Sequence, residues 1–336
     1  MDTQDSQPQG ARSLPDIVAY VFDGTGGART VAPQDVVTPS LAIGNYAFAW
    51  VYMRRDDPVA ARTLGDFKLD PWIVEALTAD ETRPRCTTHG EGALINLRGV
   101  NLNPGEEPED MVSARLWVEE KRVIGVWVRP LSAVRDLFDS IERGQAPTSP
   151  GDLVAKLALR LTDRAEPIVA ELNERIDDLE EDVLDQAADA SQRDLVDIRR
   201  TSIDLRRYLF PQRDALSSLE IEDLAWLQHH DRSRIREAAD RVTRLGEELD
   251  AVRDRAQVIH DQIMDKRAET MNRQMLVLSV VAAFFLPLGL LTGLLGINVG
   301  GIPGATNGWG FWIVCGILVA IGAVQVWLFR KIGLLK

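Results

Sequence analysis

The sequence predicts an α/β cytosolic domain, followed by long stalk helices and a two-helix transmembrane segment. Three observations predict it. Between residues 17 and 128, apolar β-branched runs are interspersed with short helical stretches, as in a mixed sheet with helices packed on it. After a Gly/Pro/Ser break at residues 144–151, strand signals give way to helical spacing. Charge then divides the 336-residue chain, whose net charge is -13. Residues 270–336 contain no Asp or Glu and only Arg273, Arg330, Lys331 and Lys336, so this tail carries +4 and the rest -17.

Residues 1–16 read as a flexible tail without the apolar core of a signal peptide. Strands are expected at Ile17 to Phe22, Phe48 to Met53, Ala93 to Leu97, Met111 to Val118 and Val123 to Val128, with Arg85 to His89 a weaker candidate. The last two long runs flank Glu119-Glu120-Lys121, a hairpin signal. Helices are expected at Pro58 to Phe67 and Pro71 to Leu77, each with Pro in its first turn, and at Leu131 to Ile141. Asp23-Gly24-Thr25-Gly26-Gly27 reads as a turn, because no Lys-Ser/Thr and no amphipathic helix follows it. Residues 152–210 are helical, with Leu172, Ile176, Leu179 and Val183 on one face, and a pause is expected at Pro211. From about Ser233 to Gly296 one helix can run from stalk into membrane.

Met275 to Gly296 is uncharged and long enough to cross a bilayer. A second uncharged run, Phe311 to Phe329, carries Trp312 and Trp327 near its ends and closes on Arg330 and Lys331. The expected division is an N-terminal domain at 1–145, a helical stalk at 146–274, and a transmembrane domain at 275–336 with helices 275–296 and 311–329 and an outer loop 297–310. Lys266, Arg267 and Arg273 precede the first span, basic residues follow the second, and the loop between has no ionisable side chain. Both termini are therefore expected in the cytoplasm.

Composition excludes several function classes. An acidic soluble part without clustered Lys and Arg argues against nucleic acid. Two cysteines, Cys86 and Cys315, exclude a disulfide framework or a multi-Cys zinc site and suit a reducing compartment. His229-His230-Asp231 and Cys86-Thr87-Thr88-His89 offer metal-ligand types, but neighbouring histidines point differently and positions 86 and 89 face opposite sides of a strand, so both read as structural. No nucleophile, acid and base grouping points to an enzyme, and no cofactor is expected.

The pattern in the first span is more telling. Steps of four and three from Met275 reach Ser279, Ala282, Leu286, Gly289, Gly293 and Gly296, a stripe of small or unbranched residues that either lets helices pack closely or lines a lumen. Gly296-Ile297-Asn298 ends the span: Asn298 could offer its carbonyl dipole to a cation at a pore mouth, or serve as an ordinary helix stop. Stepping backward by sevens gives Asp261, Asp254, Glu247 and Asp240 on one row and Asn272 and Asp265 on the next. In an oligomer these acids would form cation-concentrating rings; the alternative is a solvated face paired with Arg244, Arg255 and Lys266.

This order of parts, with Gly296-Ile297-Asn298 between two terminal spans, resembles the CorA metal-ion transporter superfamily, whose signature is Gly-Met-Asn. The substituted middle residue, the uncharged Val299-Gly300-Gly301-Ile302-Pro303-Gly304, and the loop Arg98-Gly99-Val100-Asn101-Leu102-Asn103-Pro104-Gly105 with Pro108-Glu109-Asp110-Met111 are similar to its ZntB zinc transporter branch. The resemblance implies a CorA-like homo-oligomer, a pentamer of identical subunits, set in the lipid of a bacterial-type inner membrane. It also implies a central pore lined by Asn272, Met275, Leu286, Gly289, Gly293 and Asn298. The substrate implied is a divalent cation, with zinc favoured by the resemblance to the ZntB branch, and the outer loop lacks the acid common in magnesium members. With no Asp, Glu or His inside either span, the ion is expected to cross hydrated, touched by carbonyls and amides. A different reading remains open, a membrane-anchored sensor or scaffold whose spans only dimerise through Gly289 and Gly293.

Overall fold

The structure is a computed structural model that describes the chain except residues 1–13, 38–45, 185–190, 298–301, 303–306 and 334–336. It comprises two compact units, Met1–His260 and Asp261–Lys336.

The first unit opens with β1 (Ile17–Phe22), β2 (Ala28–Val31), α1 (Pro33–Val37), β3 (Phe48–Arg54), α2 (Pro58–Asp66) and α3 (Pro71–Thr78). It continues with β4 (Arg85–His89), β5 (Gly92–Gly99), β6 (Val112–Val118), β7 (Arg122–Trp127) and α4 (Ser132–Glu142). The strands form one sheet in the order β2-β1-β3-β7-β6-β5-β4. It is mixed, as expected: β3 and β7 run parallel, and every other neighbouring pair is antiparallel. Strand alternation sorts β3 between two cores. Ala49, Val51 and Met53 join Ala60, Leu64, Ile73 and Leu77 under α2 and α3. Trp50 and Tyr52 face the other way, with ring centroids 5.2 and 6.0 Å from Phe138 of α4. Gly125 on β7 admits the Tyr52 ring, because a Cβ there would meet Tyr52 Cδ2 at 2.6 Å.

Local chemistry sets the element ends. Asp57 Oδ1 accepts from the amides of Val59 (2.8 Å) and Ala60 (2.9 Å), and Asp70 Oδ1 from Trp72 (2.9 Å), so each of α2 and α3 pairs an Asp cap with a first-turn Pro. The 23–27 segment is the turn expected. Asp23 Oδ1 binds the amides of Thr25 and Gly27, while Gly24 and Gly26 adopt positive φ. Beyond it lie β2 and α1, which carry no clear signal in the sequence because a four-residue strand and a five-residue helix are too short to show periodicity.

Three helices follow: α5 (Pro150–Leu184), α6 (Ser191–Ile221) and α7 (His229–Leu295), whose first part belongs to this unit. The pause expected at Pro211 is absent, and α6 runs through it. Proline forfeits one helical bond and crowds one carbonyl, at a cost of about 3 kcal/mol. Here the flanks are anchored: Leu209, Gln212, Ala215 and Leu216 are buried, Gln212 Oε1 accepts from the Arg98 amide at 2.6 Å, and Phe210 lies under the guanidinium groups of Arg206 and Arg213. Tertiary contacts override the local break.

The second unit contains the rest of α7, through Pro287, and α8 (Gly310–Lys331). Both helices contain stretches apolar and long enough to cross a membrane, and none of those residues is buried within the chain. Arg330 and Lys331 occupy the last turn of α8, with Lys331 Nζ 5.1 Å from the Trp327 ring centre.

Candidate functional site

Each apolar helix of the second unit has one covered face. On α7 the half-buried positions are Val280, Phe284, Pro287, Leu288 and Leu291, and on α8 they include Val314, Leu318, Ile321, Gly322 and Gln325. Both sets recur at three- and four-residue steps, so these are the facing stripes of a helix hairpin. Gln325 Nε2 donates to the Ala283 carbonyl at 3.2 Å, and Gly322 lies beside the Phe284 ring. Cys315 shares this half-buried stripe of α8.

At 3.6 residues per turn, the stripe of Met275, Ser279, Ala282, Leu286, Gly289 and Gly293 lies about half a turn round α7 from Phe284. All six are exposed in the single chain, and Asn272 is too. The face with the smallest side chains is thus the one that α8 leaves uncovered. Gly289 also borders an apolar groove of about 580 Å³ along the flank of the hairpin, with Phe285, Thr292 and Val319.

At the end of the span, α7 stops at Leu295 and Gly296 forms the turn. Its amide donates to Thr292 O (2.9 Å) and Gly293 O (3.2 Å), the bonding of a helix C-terminus. Ile297 is exposed, and Asn298 lies outside the described residues. The structure therefore describes the helix stop for Gly296 and leaves the pore-mouth role of Asn298 an expectation.

The stalk acids also occupy uncovered positions. In the first unit, Glu247 and Asp254 are exposed, while Val242, Leu245, Leu249, Val252 and Ile259 of the same helix are buried. Asp254 pairs with Arg253 at 2.8 Å. Arg255, considered as a partner for the row, turns instead to Asp177 (2.6 Å) and Glu180 of α5. Those two carboxylates hold its guanidinium pKa above the usual value. In the second unit, Asp261 and Asp265 are exposed on α7.

Two of the other ligand-type residues, Asp231 and Cys86, are engaged within the fold. Asp231 is buried near the start of α7, where it accepts from Ser149 Oγ (2.9 Å) and the Gln228 amide (3.2 Å). Burial pushes its carboxyl above the ordinary range. Burial likewise pushes the Cys86 thiol up to about 12, with Glu222 adding to the effect, while His89 sits 3.7 Å from Asp70. Among the described residues there is no group of three or more His, Cys, Asp or Glu placed to hold a metal. The 98–111 loop is bonded internally: Asn101 Oδ1 accepts from the amide and side chain of Asn103, and Asn101 Nδ2 donates to Glu106 at 2.6 Å.

Comparison with known proteins agrees with this architecture. The chain is 40% identical over 319 residues to the divalent cation transporter CmaX of Pseudomonas aeruginosa, covering 94% of this chain and 96% of that one. It is 38% identical over 315 residues to the zinc transport protein ZntB of Pectobacterium atrosepticum, covering 93% and 94%. The solved structure of the full-length CmaX protein superposes with a TM-score of 0.80 at 38% identity, over 96% of this chain and 99% of that one. The profile described as CorA-like Mg2+ transporter protein matches residues 45–331, from the third strand to the end of the last helix, and the chain belongs to that family.

Proposed function

We propose that this protein transports divalent cations, zinc foremost, across the inner membrane through a pore shared by identical subunits, most simply five. The observation that carries the reading is the small-residue face of α7, uncovered and opposite the face that α8 occupies. Two helices cannot enclose an ion path, so such a face needs copies of itself around a common axis. Met275, Ser279, Ala282, Leu286, Gly289 and Gly293 then line the path, Asn272 stands at its cytosolic entrance and Asn298 at its outer mouth. Glu247, Asp254, Asp261 and Asp265 concentrate cations beneath it. The metal is cargo, not cofactor, and the activity is transport, not catalysis. The names of the two relatives support a divalent cation, and one supports zinc. Basic residues flanking both spans support cytoplasmic termini, with the 297–310 loop outside.

The test is zinc entry into proteoliposomes loaded with a zinc-sensitive dye, with and without an imposed pH gradient, alongside the subunit number in detergent. Zinc-dependent signal from a ring of identical subunits is expected. A dimer without flux would instead support the membrane-anchored sensor or scaffold.

A further inference from the structure

We propose that a cleft in the soluble unit binds a compact multivalent anion of the oligophosphate or phosphate-ester class. The cleft has a volume of about 540 Å³. Its walls are residues 80–83 between α3 and β4, Arg98 of β5, Arg129 after β7, and Arg207 and Tyr208 of α6. Four arginines widely separated in sequence, at 83, 98, 129 and 207, thus meet around one space in a chain whose net charge is -13.

The bonding of these arginines is what points to a ligand. The Arg98 guanidinium donates to the carbonyl oxygens of Thr82 (2.7 Å) and Met111, neutral acceptors that fix its position, and it makes no direct ion pair among the described residues, although Glu81 lines the same cleft. It lies 4.7 Å from the centre of the Tyr208 ring, and Arg207 lies 5.0 Å from the same ring, so one aromatic side chain holds two cations at the cleft. Arg83 makes no ion pair among the described residues. Of the carboxylates nearby, Asp80 is held by Arg55 at 2.9 Å, Glu106 by Arg129 and Asp204 by Arg207 at 3.6 Å, while Glu81 stands in the wall of the cleft. Burial lowers the pKa of Arg98, and the charges of Arg129 and Arg207 push the same way against Tyr208 and Glu81.

The wall is also built firmly. Arg115, 2% exposed, donates to the carbonyls of Leu77, Ala79 and Asp80 and so pins the chain entering the 80–83 segment. Thr82, 7% exposed, leaves its buried hydroxyl without a partner beside the carbonyl that Arg98 grips. Guanidinium forks match the oxygens of a phosphate, and charge-assisted bonds to several of them would relieve the repulsion among Arg98, Arg129 and Arg207. An anion with one charge would satisfy too few of them. The space suits pyrophosphate or a small phosphate ester.

The test uses the full-length protein in detergent, free of divalent metal, with pyrophosphate as the probe. Calorimetry and thermal melting should report binding and stabilisation by pyrophosphate, and chloride at matched ionic strength should give neither. The double variant Arg83→Gln, Arg207→Gln should weaken pyrophosphate binding by about tenfold or more. Arg62→Gln, exposed on α2, should bind as the wild type does. Should the double variant melt early without ligand, the single Arg83→Gln variant is compared instead, with several-fold weakening expected. No pyrophosphate binding at millimolar concentration, undiminished binding by the variants, or stabilisation matched by chloride would each overturn the proposal. The readout is binding, so it is independent of the transport proposal.

Discussion

Asp152, 3% exposed near the start of α5, shows how a single residue couples the soluble unit to pH. Burial penalises its charged form, but the Thr148 amide (3.0 Å), Lys156 (2.9 Å) and Arg234 (2.6 Å) outweigh that penalty and hold its carboxyl below the ordinary range. A depressed carboxylate contributes stability that is full above the unfolded pKa, about 3.9, and is lost as pH falls through the folded value. Asp231, pushed up by burial, works in the opposite sense. Asp152→Asn should therefore cost about 2 kcal/mol at pH 7 and flatten the loss of stability below about pH 4. Thermal melts at neutral and acid pH check this, and equal acid sensitivity in both proteins would contradict it. Under the proposed pore, Asn298→Ala should leave assembly intact and strongly reduce zinc flux, because the pore mouth would lose a side-chain amide dipole. An assembled variant with unchanged flux would reduce Asn298 to a helix stop. The Asp152 cluster was not fully legible in the sequence: Thr148 and Lys156 are local, but Arg234 is 82 residues away and adjacent only in the fold.

At the scale of elements, the hairpin of α7 and α8 separates two faces of one helix. The Phe284 face packs within the chain, while the Ala282 face is free to meet copies of itself. In a background with Cys86 and Cys315 replaced by Ala, cysteine at Ala282 should cross-link between identical subunits under oxidation. Cysteine at Phe284 should not. Cross-linking at both positions, or at Phe284 alone, would reverse the assignment of faces. Helical register made the Ala282 stripe visible from sequence. The opposite face needed the structure, because which side α8 covers depends on how the two helices are rotated against each other. The same limit explains Pro211. A local rule places a break there, and only the packing of Leu209, Gln212 and Phe210 shows why α6 continues.

For the whole molecule, the proposed transport requires assembly, which multiplies the charge of each acid by the number of subunits. Asp261 and Asp265 lie one turn apart, so copies of both would form two rings about 6 Å apart along the axis. Fields of this kind weaken as salt rises, over a Debye length of about 10 Å at 0.1 M. Neutralising both to Asn should reduce zinc flux most at low salt and low zinc, while Glu248→Gln, off that register, should change it little. Flux that responds equally to the two changes, or identically at low and high salt, would make the acids an ordinary solvated face.

The sequence by itself determined the fold class, the two apolar spans and the family resemblance. Each rests on local information: side-chain period, runs of uncharged residues and short contiguous strings such as Gly296-Ile297-Asn298. Tertiary structure alone decided which face of α7 is covered by α8, where Arg255 places its charge, and that Arg83, Arg98, Arg129 and Arg207 share a cleft. These facts depend on segments far apart in the chain being brought together, and no periodicity within any one of them encodes the meeting. Charge is the clearest case: the soluble part is acidic in net composition, and folding brings four scattered arginines to one cleft, beside Asp80 and Glu81.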